Sequence, residues 1–376
     1  MKIKVVSDKK DLLKFIKFQW EIYKNDVYWV PQLISDTMLL FDEKKNLFWE
    51  HAKKKLFYVE DTSGKILGRI AAIIDENFIK FHNEKTGFFG FFECVNNYEV
   101  AELLLSQVEN YLKENDMKKM LGPTAPSTND EMGVLFDGYD SEPFLMMPHN
   151  PPYYNFLLTK CGLTKAKDLY AYLYAEDKGN NRLPIERLER VVEQVKKKYP
   201  EITLRQVNLK EFDKELKIAV EIYNEAWEKN WGFVPWTERE FVSQAVRLKP
   251  LVDPKFVIFV FFGKEPSGMV IAVPNYNEVL KKLNGKLGPI EVLKFLYYRN
   301  KIKSLRVMIM GVKKKFRNKG IESLMFLDVI KKGISAGYKK AEFSWILEDN
   351  VMMNRLAEML GARVHKIYRV YEKKIK

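Results

Sequence analysis

The sequence predicts an α/β (α+β) protein made of two tandem copies of one unit, each a mixed, twisted β-sheet flanked by helices. Length, a repeat in the order of motifs, and the alternation of strand-period with helix-period hydrophobic patterns carry that prediction. At 376 residues the chain exceeds one ordinary core, and roughly 100–200 residues per domain gives two. The repeat opens on an aromatic-rich helix with a Val-Pro exit: Phe18-Gln19-Trp20-Glu21-Ile22-Tyr23 before Trp29-Val30-Pro31 is echoed by Ile222-Tyr223-Asn224-Glu225-Ala226-Trp227 before Phe233-Val234-Pro235. Two strands then read as a hairpin in each copy. The first copy has 55–59, a Ser63-Gly64 turn and 68–73; the second has 256–260, a Ser267-Gly268 turn and 269–273. The closing segments agree best. Asn155-Phe156-Leu157 running to Cys161-Gly162-Leu163 and Tyr170-Ala171-Tyr172 mirrors Asn354-Arg355-Leu356 running to Leu360-Gly361-Ala362 and Tyr368-Arg369-Val370-Tyr371. Each reads as a helix, a glycine able to take positive φ at the helix end, and a half-buried strand.

Between the copies, a polar, turn-forming stretch at 176–181 marks a boundary. An amphipathic helix with Ile185, Leu188, Val192 and Val195 on one face follows, ending at Lys198-Tyr199-Pro200. The expected organisation is a first unit over 1–178, a helical linker over 179–200 and a second unit over 201–376.

The two cysteines, Cys94 and Cys161, form no CxxC or Cys/His pattern, and the histidines, His51, His82, His149 and His365, show no metal-ligand spacing. This excludes a disulfide framework and assigns no metal. The opening Met1-Lys2-Ile3-Lys4-Val5 reads as an alternating strand rather than a leader. No apolar run approaches the roughly 20 residues that span a bilayer. These features predict a cytoplasmic chain with no membrane partner. The formal charge of +13, from 63 Lys and Arg against 50 Asp and Glu, is scattered through the chain. That distribution disfavours nucleic acid, which calls for basic grooves or aromatic-studded sheets.

The segment that carries chemistry follows the apolar strand 305–312. Lys313-Lys314-Lys315-Phe316-Arg317-Asn318-Lys319-Gly320-Ile321 opens a helix, and a strand, a basic glycine turn and a helix N-terminus together make an anion site suited to a pyrophosphate. The bland alternative is a solvated lysine run before a surface helix. Val312 with Phe316-Arg317-Asn318-Lys319-Gly320-Ile321 resembles the acyl-CoA signature of the GNAT acyltransferase superfamily, and the whole layout looks like tandem GNAT proteins. Arg317 and Gly320 match the signature, whereas Glu322 replaces its terminal small residue. The resemblance implies acetyl-CoA or another acyl-CoA held by Met310, Gly311, Val312, Phe316, Arg317, Asn318, Lys319, Gly320, Ile321 and Asn350. It also implies direct N-acyl transfer to a small-molecule or peptide amine. The family's frequent helix tyrosine falls on Ala357, so proton delivery to the leaving thiolate passes to Tyr368, Tyr371 or water. In the first copy the corresponding stretch from Phe88 to Val100 carries Glu93 and Glu99 instead of cations, which predicts one cofactor per chain.

An amine nucleophile must lose a proton before attack, and Glu348 and Asp349 are the nearest carboxylates. Alternatively Asp349 or Asn350 simply caps the next helix. Backbone N–H groups near Met310 to Val312 would meet the oxyanion. Two first-copy loops, 121–131 and 147–154, are either rigid surface connections or the acceptor pocket, with Asn129, Asp130 and Glu131 attracting an amine and Tyr153 and Tyr154 walling it. The aromatic segment Trp227 to Trp236 reads as core packing, or as the lining of an acyl channel. Two other functions stay open: acyl-CoA binding without turnover, and an RNA-associated aminoacyl-transferase-like role whose mark would be steeply salt-dependent RNA binding.

Overall fold

The computed structural model describes residues 1–175 and 184–376; the boundary read at 176–181 lies outside the described residues. The first copy runs β1 (Lys2–Val5), α1 (Lys9–Ile22), α2 (Ile34–Leu40), β2 (Ala52–Glu60), β3 (Ile66–Asp75), α3 (Glu76–His82), β4 (Thr86–Cys94), α4 (Tyr98–Glu114) and β5 (Lys119–Ala125). It continues through the short strands β6 (Glu131–Met132) and β7 (Val134–Asp137) to α5 (Tyr153–Lys160) and β8 (Thr164–Ala175). After α6 (Ile185–Lys198) the order recurs as β9 (Ile202–Gln206), α7 (Phe212–Trp227), α8 (Glu238–Leu248), β10 (Val257–Phe262) and β11 (Glu265–Pro274). A helical pair, α9 (Asn277–Leu283) and α10 (Pro289–Arg299), precedes β12 (Ser304–Val312), α11 (Ile321–Ser335), β13 (Lys340–Leu347), α12 (Val351–Met359) and β14 (Arg363–Lys374).

The chain folds into two compact units that do not follow the linear halves. One takes Met1–Leu169, Asn277–Arg299 and Lys366–Lys376, and the other takes Tyr170–Tyr276 and Asn300–His365. The division at 178 and 200 thus stands as a proposal about the repeat, distinct from this partition by compactness.

In the first unit β1 to β4 are antiparallel neighbours, β5 joins β4 in parallel, and β14 runs antiparallel to β5 with Tyr371 opposite Gly122. Helix α4 starts where the Asn97 side chain accepts from Val100 N–H, and it buries Val100, Leu104, Leu105, Val108 and Leu112. This i, i+4 stripe is what its sequence period demands. The stripe joins Phe57, Ile70, Phe89 and Tyr371 in one core.

In the second unit β9 to β12 are antiparallel and β13 joins β12 in parallel. Helix α8 begins with a capping box between Thr237 and Glu240, which satisfies two first-turn donors. Helix α6 is a packed element. Leu188 and Val192 are buried beside Val312, Phe316 and Ile321, with Ile185 and Val195 against the same core, and Glu189 pairs with Lys331 at 2.6 Å. One expectation fails here. The hairpin turns at Gly263 (φ +61), while Ser267 and Gly268 lie inside β11, where Gly268 faces Val260 and Val312. Gly268 opposite Val260 stands where Gly68 stands opposite Val59, and both hairpins carry the same register shift one residue on, so the counterpart of the Ser63-Gly64 turn falls at Gly263. Among the described residues no helix is long and apolar enough to cross a membrane.

Candidate functional site

The site begins where two parallel strands part. Ser304 to Val307 pair with Lys340 to Phe343, after which β12 continues to Val312 and β13 to Leu347. The other edge of β12 stays on β11, with Met308 as an extra residue at a bulge between the Ile271–Ile309 and Ala272–Val307 pairs. Bulges re-aim backbone groups at such points. Strands that part in this way leave backbone donors and acceptors facing a gap into which an extended, amide-bearing ligand fits. Below the gap a buried polar network fixes both strands. Arg306 Nε donates to Ser344 Oγ at 2.8 Å, Ser344 Oγ donates to Glu342 Oε1 at 2.5 Å, and His365 Nε2 lies 2.7 Å from Glu342 Oε2.

Past Val312 the chain makes one 3₁₀ turn and enters α11 through Asn318 (φ +62) and Gly320 (φ +78). Gly320 is the N-cap of α11, and no side chain caps this end, so the first-turn donors and the helix dipole are presented to a ligand. These features fit a pyrophosphate held mainly by backbone. The cations are less available than the sequence suggested. Lys313 is buried and paired with Glu221 and, at 3.7 Å, with Glu225. Lys315 pairs with Glu265. Arg317 donates from Nη2 to Ala226 O at 2.6 Å and from Nε to Val312 O at 3.3 Å. Its guanidinium thus braces the loop, and its expected contact with a phosphate stays a proposal. Lys314 is exposed, and Lys319 lies 5.0 Å from the Tyr199 ring centre and 5.3 Å from that of Phe262. Phe316 is buried and stacks on Phe262 at 5.3 Å, and Ile321 is fully buried; both anchor the loop from beneath. Glu322 is half-buried in the first turn of α11. Burial pushes its carboxyl above the ordinary glutamate value, against the pull of its own backbone N–H and of Arg317.

Met310, Gly311 and Val312 form the last part of β12, opposite Val270, Met269 and Gly268. Gly311 lacks a side chain for a visible reason: a Cβ there would lie 2.3 Å from Trp227 of α7. Trp227 stacks on Tyr223 at 4.8 Å, and Tyr223 meets Phe233 at 5.8 Å and Phe241 at 6.2 Å. Only Phe233 of these four is buried. The cluster is thus both packing for α7 and an apolar surface beside the end of β12.

The remaining predicted residues divide. Glu348 and Asp349 occupy the turn between β13 and α12, in the unit that holds the loop. Asn350 caps α12 by accepting from Met353 N–H at 3.3 Å, the role its position before a helix had left open. Ala357 is 1% exposed, so no phenol stands at that point. Tyr368 falls in the other compact unit, buried, with its backbone paired to Leu135. Asn129 and Asp130 lie in a local turn in which Ser127 Oγ donates to Asp130 Oδ2 at 2.6 Å, and Glu131 opens β6 opposite Ala125. Tyr154 is a core residue donating to Glu93 Oε2 at 2.7 Å, and Tyr153 donates to Cys94 O at 2.8 Å. A pocket wall made by Tyr154 is therefore corrected. Glu93 is itself saturated, accepting also from Tyr23 at 2.8 Å and Gln19 at 2.7 Å with Arg69 at 3.6 Å. Its role is to knit the first core.

Sequence spacing gave no sign of one further pair. His149 Nε2 lies 2.8 Å from Asp26 Oδ2, and the buried Nδ1 has no hydrogen-bond partner. Burial lowers the imidazole pKa despite Asp26, which favours a neutral ring with its proton on Nε2.

Parting parallel strands, an uncapped helix entered through a basic glycine loop, and a doubled element order define a tandem GNAT, or GCN5-related N-acetyltransferase, fold. A tandem GNAT protein from the clavulanic acid biosynthesis pathway matches 100% of this chain and 99% of its own at a TM-score of 0.59, with 9% sequence identity. No protein-family model matches the sequence. Protein YghO of Escherichia coli (strain K12) is 32% identical over 99% of this chain and 95% of its own length. The bacterial ceramide synthase of Caulobacter vibrioides (strain NA1000 / CB15N) is 34% identical over 98% of this chain and 96% of its own. The chain belongs to the family that contains these two proteins.

Proposed function

We propose that the chain is an acyl-CoA-dependent N-acyltransferase whose acceptor is the amine of a long-chain amino alcohol. The observation that carries this reading is the separation of β12 and β13 beside the uncapped N-terminus of α11. The acceptor class is supported by the likeness to the bacterial ceramide synthase of Caulobacter vibrioides and by the apolar surface of Tyr223, Trp227 and Phe241 beside Gly311. Acyl-CoA supplies an activated thioester. The loop from Asn318 to Ile321 holds its phosphates through backbone N–H groups, and the facing edge of β12 near Met310 to Val312 donates to the oxyanion. Glu348 or Asp349 takes the ammonium proton, directly or through water. Without a phenol at Ala357 the thiolate leaves unassisted, as a group whose thiol pKa is near 8.5 is able to do.

The test is to incubate the purified chain with palmitoyl-CoA or acetyl-CoA and either a long-chain amino alcohol or short amines, following free thiol and amide mass. Thiol release with formation of the long-chain amide supports the reading; acetylation of short amines alone would move the acceptor to that class. Binding of acyl-CoA with no thiol released in any pairing would favour a binding protein without turnover, to which the buried Ala357 points.

A further inference from the structure

Helix α10 runs against the usual arrangement of an amphipathic helix. Its half-buried residues, Glu291, Phe295 and Tyr298, recur at helical spacing on one side. The opposite side presents Ile290, Leu293, Leu296 and Tyr297 at 66, 68, 51 and 60% exposure, and none of the helix's residues is buried. Leu287 and Val292 add to the same exposed surface. Scattered apolar residues on a surface call for no explanation, but a contiguous run on one short helix does. Neighbouring α9 behaves conventionally, burying Val279, Leu280 and Leu283. It is tied to its own unit by Asn277 Nδ2 donating to Pro143 O at 2.8 Å, by Trp20 Nε1 donating to Asn284 Oδ1 at 3.0 Å, and by Lys281 pairing with Glu142. The pair is therefore a fixed arm with an outward apolar tip. The matching place in the first copy, between β3 and β4, holds only the seven-residue α3.

Charge states what this tip meets. Within this unit the segment 277–299 contains five lysines and arginines against two glutamates. Lys282, Lys286, Lys294 and Arg299 are all exposed, while Glu291 is turned inward, accepting from Gly288 N–H at 3.1 Å. An apolar stripe rimmed by cations matches an anionic bilayer surface, where the stripe enters the acyl boundary and the cations meet lipid phosphates. A helix of eleven residues reaches about 16 Å, roughly half the hydrocarbon thickness, so it lies in the interface and does not cross it. We propose that α10 docks the protein on anionic membrane surfaces. The expectation of no membrane partner was drawn from the absence of a spanning segment, a criterion a surface-lying helix does not meet. The proposal rests on residues separate from the acyl-transfer site and stands whichever acceptor that site takes.

The test is co-sedimentation of the full chain with vesicles of phosphatidylglycerol and phosphatidylcholine, against vesicles of phosphatidylcholine alone, at low and high salt. Wild type and the double variant Leu293→Glu/Leu296→Glu are compared, with melting curves and sedimentation velocity in parallel. The proposal expects binding to the anionic vesicles that weakens with salt and falls at least about tenfold in the variant, which replaces two large apolar contacts by charges while leaving its melting curve intact. Turnover of a short, water-soluble amine by the variant at the wild-type rate would separate docking from catalysis. Absence of wild-type binding, or equal binding by the variant, overturns the proposal. So does a dimer that the variant abolishes without any vesicle binding, because a second copy would then be what covers the stripe.

Discussion

Replacing Gly320 by alanine tests the loop and its support together. The glycine sits at φ +78 and ψ 15, where an L side chain costs about 1–2 kcal/mol, and a Cβ there would come within 2.5 Å of Val195 Cγ2. Val195 is β-branched and helical, so one χ1 rotamer dominates and the methyl has little room to swing aside. Relief requires α6 to shift, and overpacking of this kind costs about 1–3 kcal/mol. Gly320→Ala should therefore destabilise the second unit by about 2–5 kcal/mol, a fall in Tm on the order of 10 °C. Val195→Ala removes the offending methyl, and in that background the glycine change should cost only the backbone component. Thermal unfolding of the wild type, both single variants and the double variant measures the coupling, expected at about 1–3 kcal/mol in favour of the double variant. Additivity within about 0.5 kcal/mol would refute the reasoning, because α6 would then not rest on the loop. Titration of the double variant with palmitoyl-CoA then reads the loop's backbone geometry apart from the stability loss.

Glu322→Gln should raise stability near neutral pH. A carboxyl whose folded pKa is raised binds its proton more tightly in the folded state, so its stabilising contribution is full below the ordinary value of 4.5 and is lost as pH rises through the folded pKa. The gain from glutamine should therefore shrink toward acidic pH, and a pH-independent difference between the two proteins would contradict the assignment. The same substitution removes a like charge from the phosphate site and should tighten palmitoyl-CoA binding by about 5–30-fold, or about 1–2 kcal/mol, by calorimetry. Glu93→Leu leaves Arg69, Tyr23 and Tyr154 in the core without their shared acceptor and should cost about 3–5 kcal/mol in chemical denaturation. Wild-type stability in that variant would show the network to be dispensable.

The sequence was most informative where a residue's reason is local. The positive φ at Gly162 and Gly361, the amphipathic face of α6 and the strand-loop-helix order around Gly320 follow from periodicity and turn chemistry, and each appears where the spacing placed it. It was least informative where the partner is remote. Nothing near Arg317 announced its bond to Ala226 O, 91 residues away, and Lys313 looked exposed because Glu221 lies 92 residues earlier. Tyr154 read as a pocket wall, although it is buried and its acceptor, Glu93, is supplied by β4, 61 residues earlier. The turn assigned to Ser267-Gly268 failed for a different reason: the Ser-Gly dipeptide was matched to Ser63-Gly64, whereas by register Gly268 is the counterpart of Gly68 inside the strand.

The interleaving of segments also bears on synthesis. The first unit is built largely from residues 1–169, yet Lys366–Lys376 belong to it as well. Within it Tyr371 Oη donates to Asn155 Oδ1 at 2.8 Å and Lys373 bonds Glu109 at 2.8 Å. At roughly 5–20 residues per second, about 200 further residues take on the order of 10–40 s to translate. For that interval residues 119–122 of β5 lack their β14 partner, a period in which the nascent chain exposes a strand edge of the kind that recruits wrong partners.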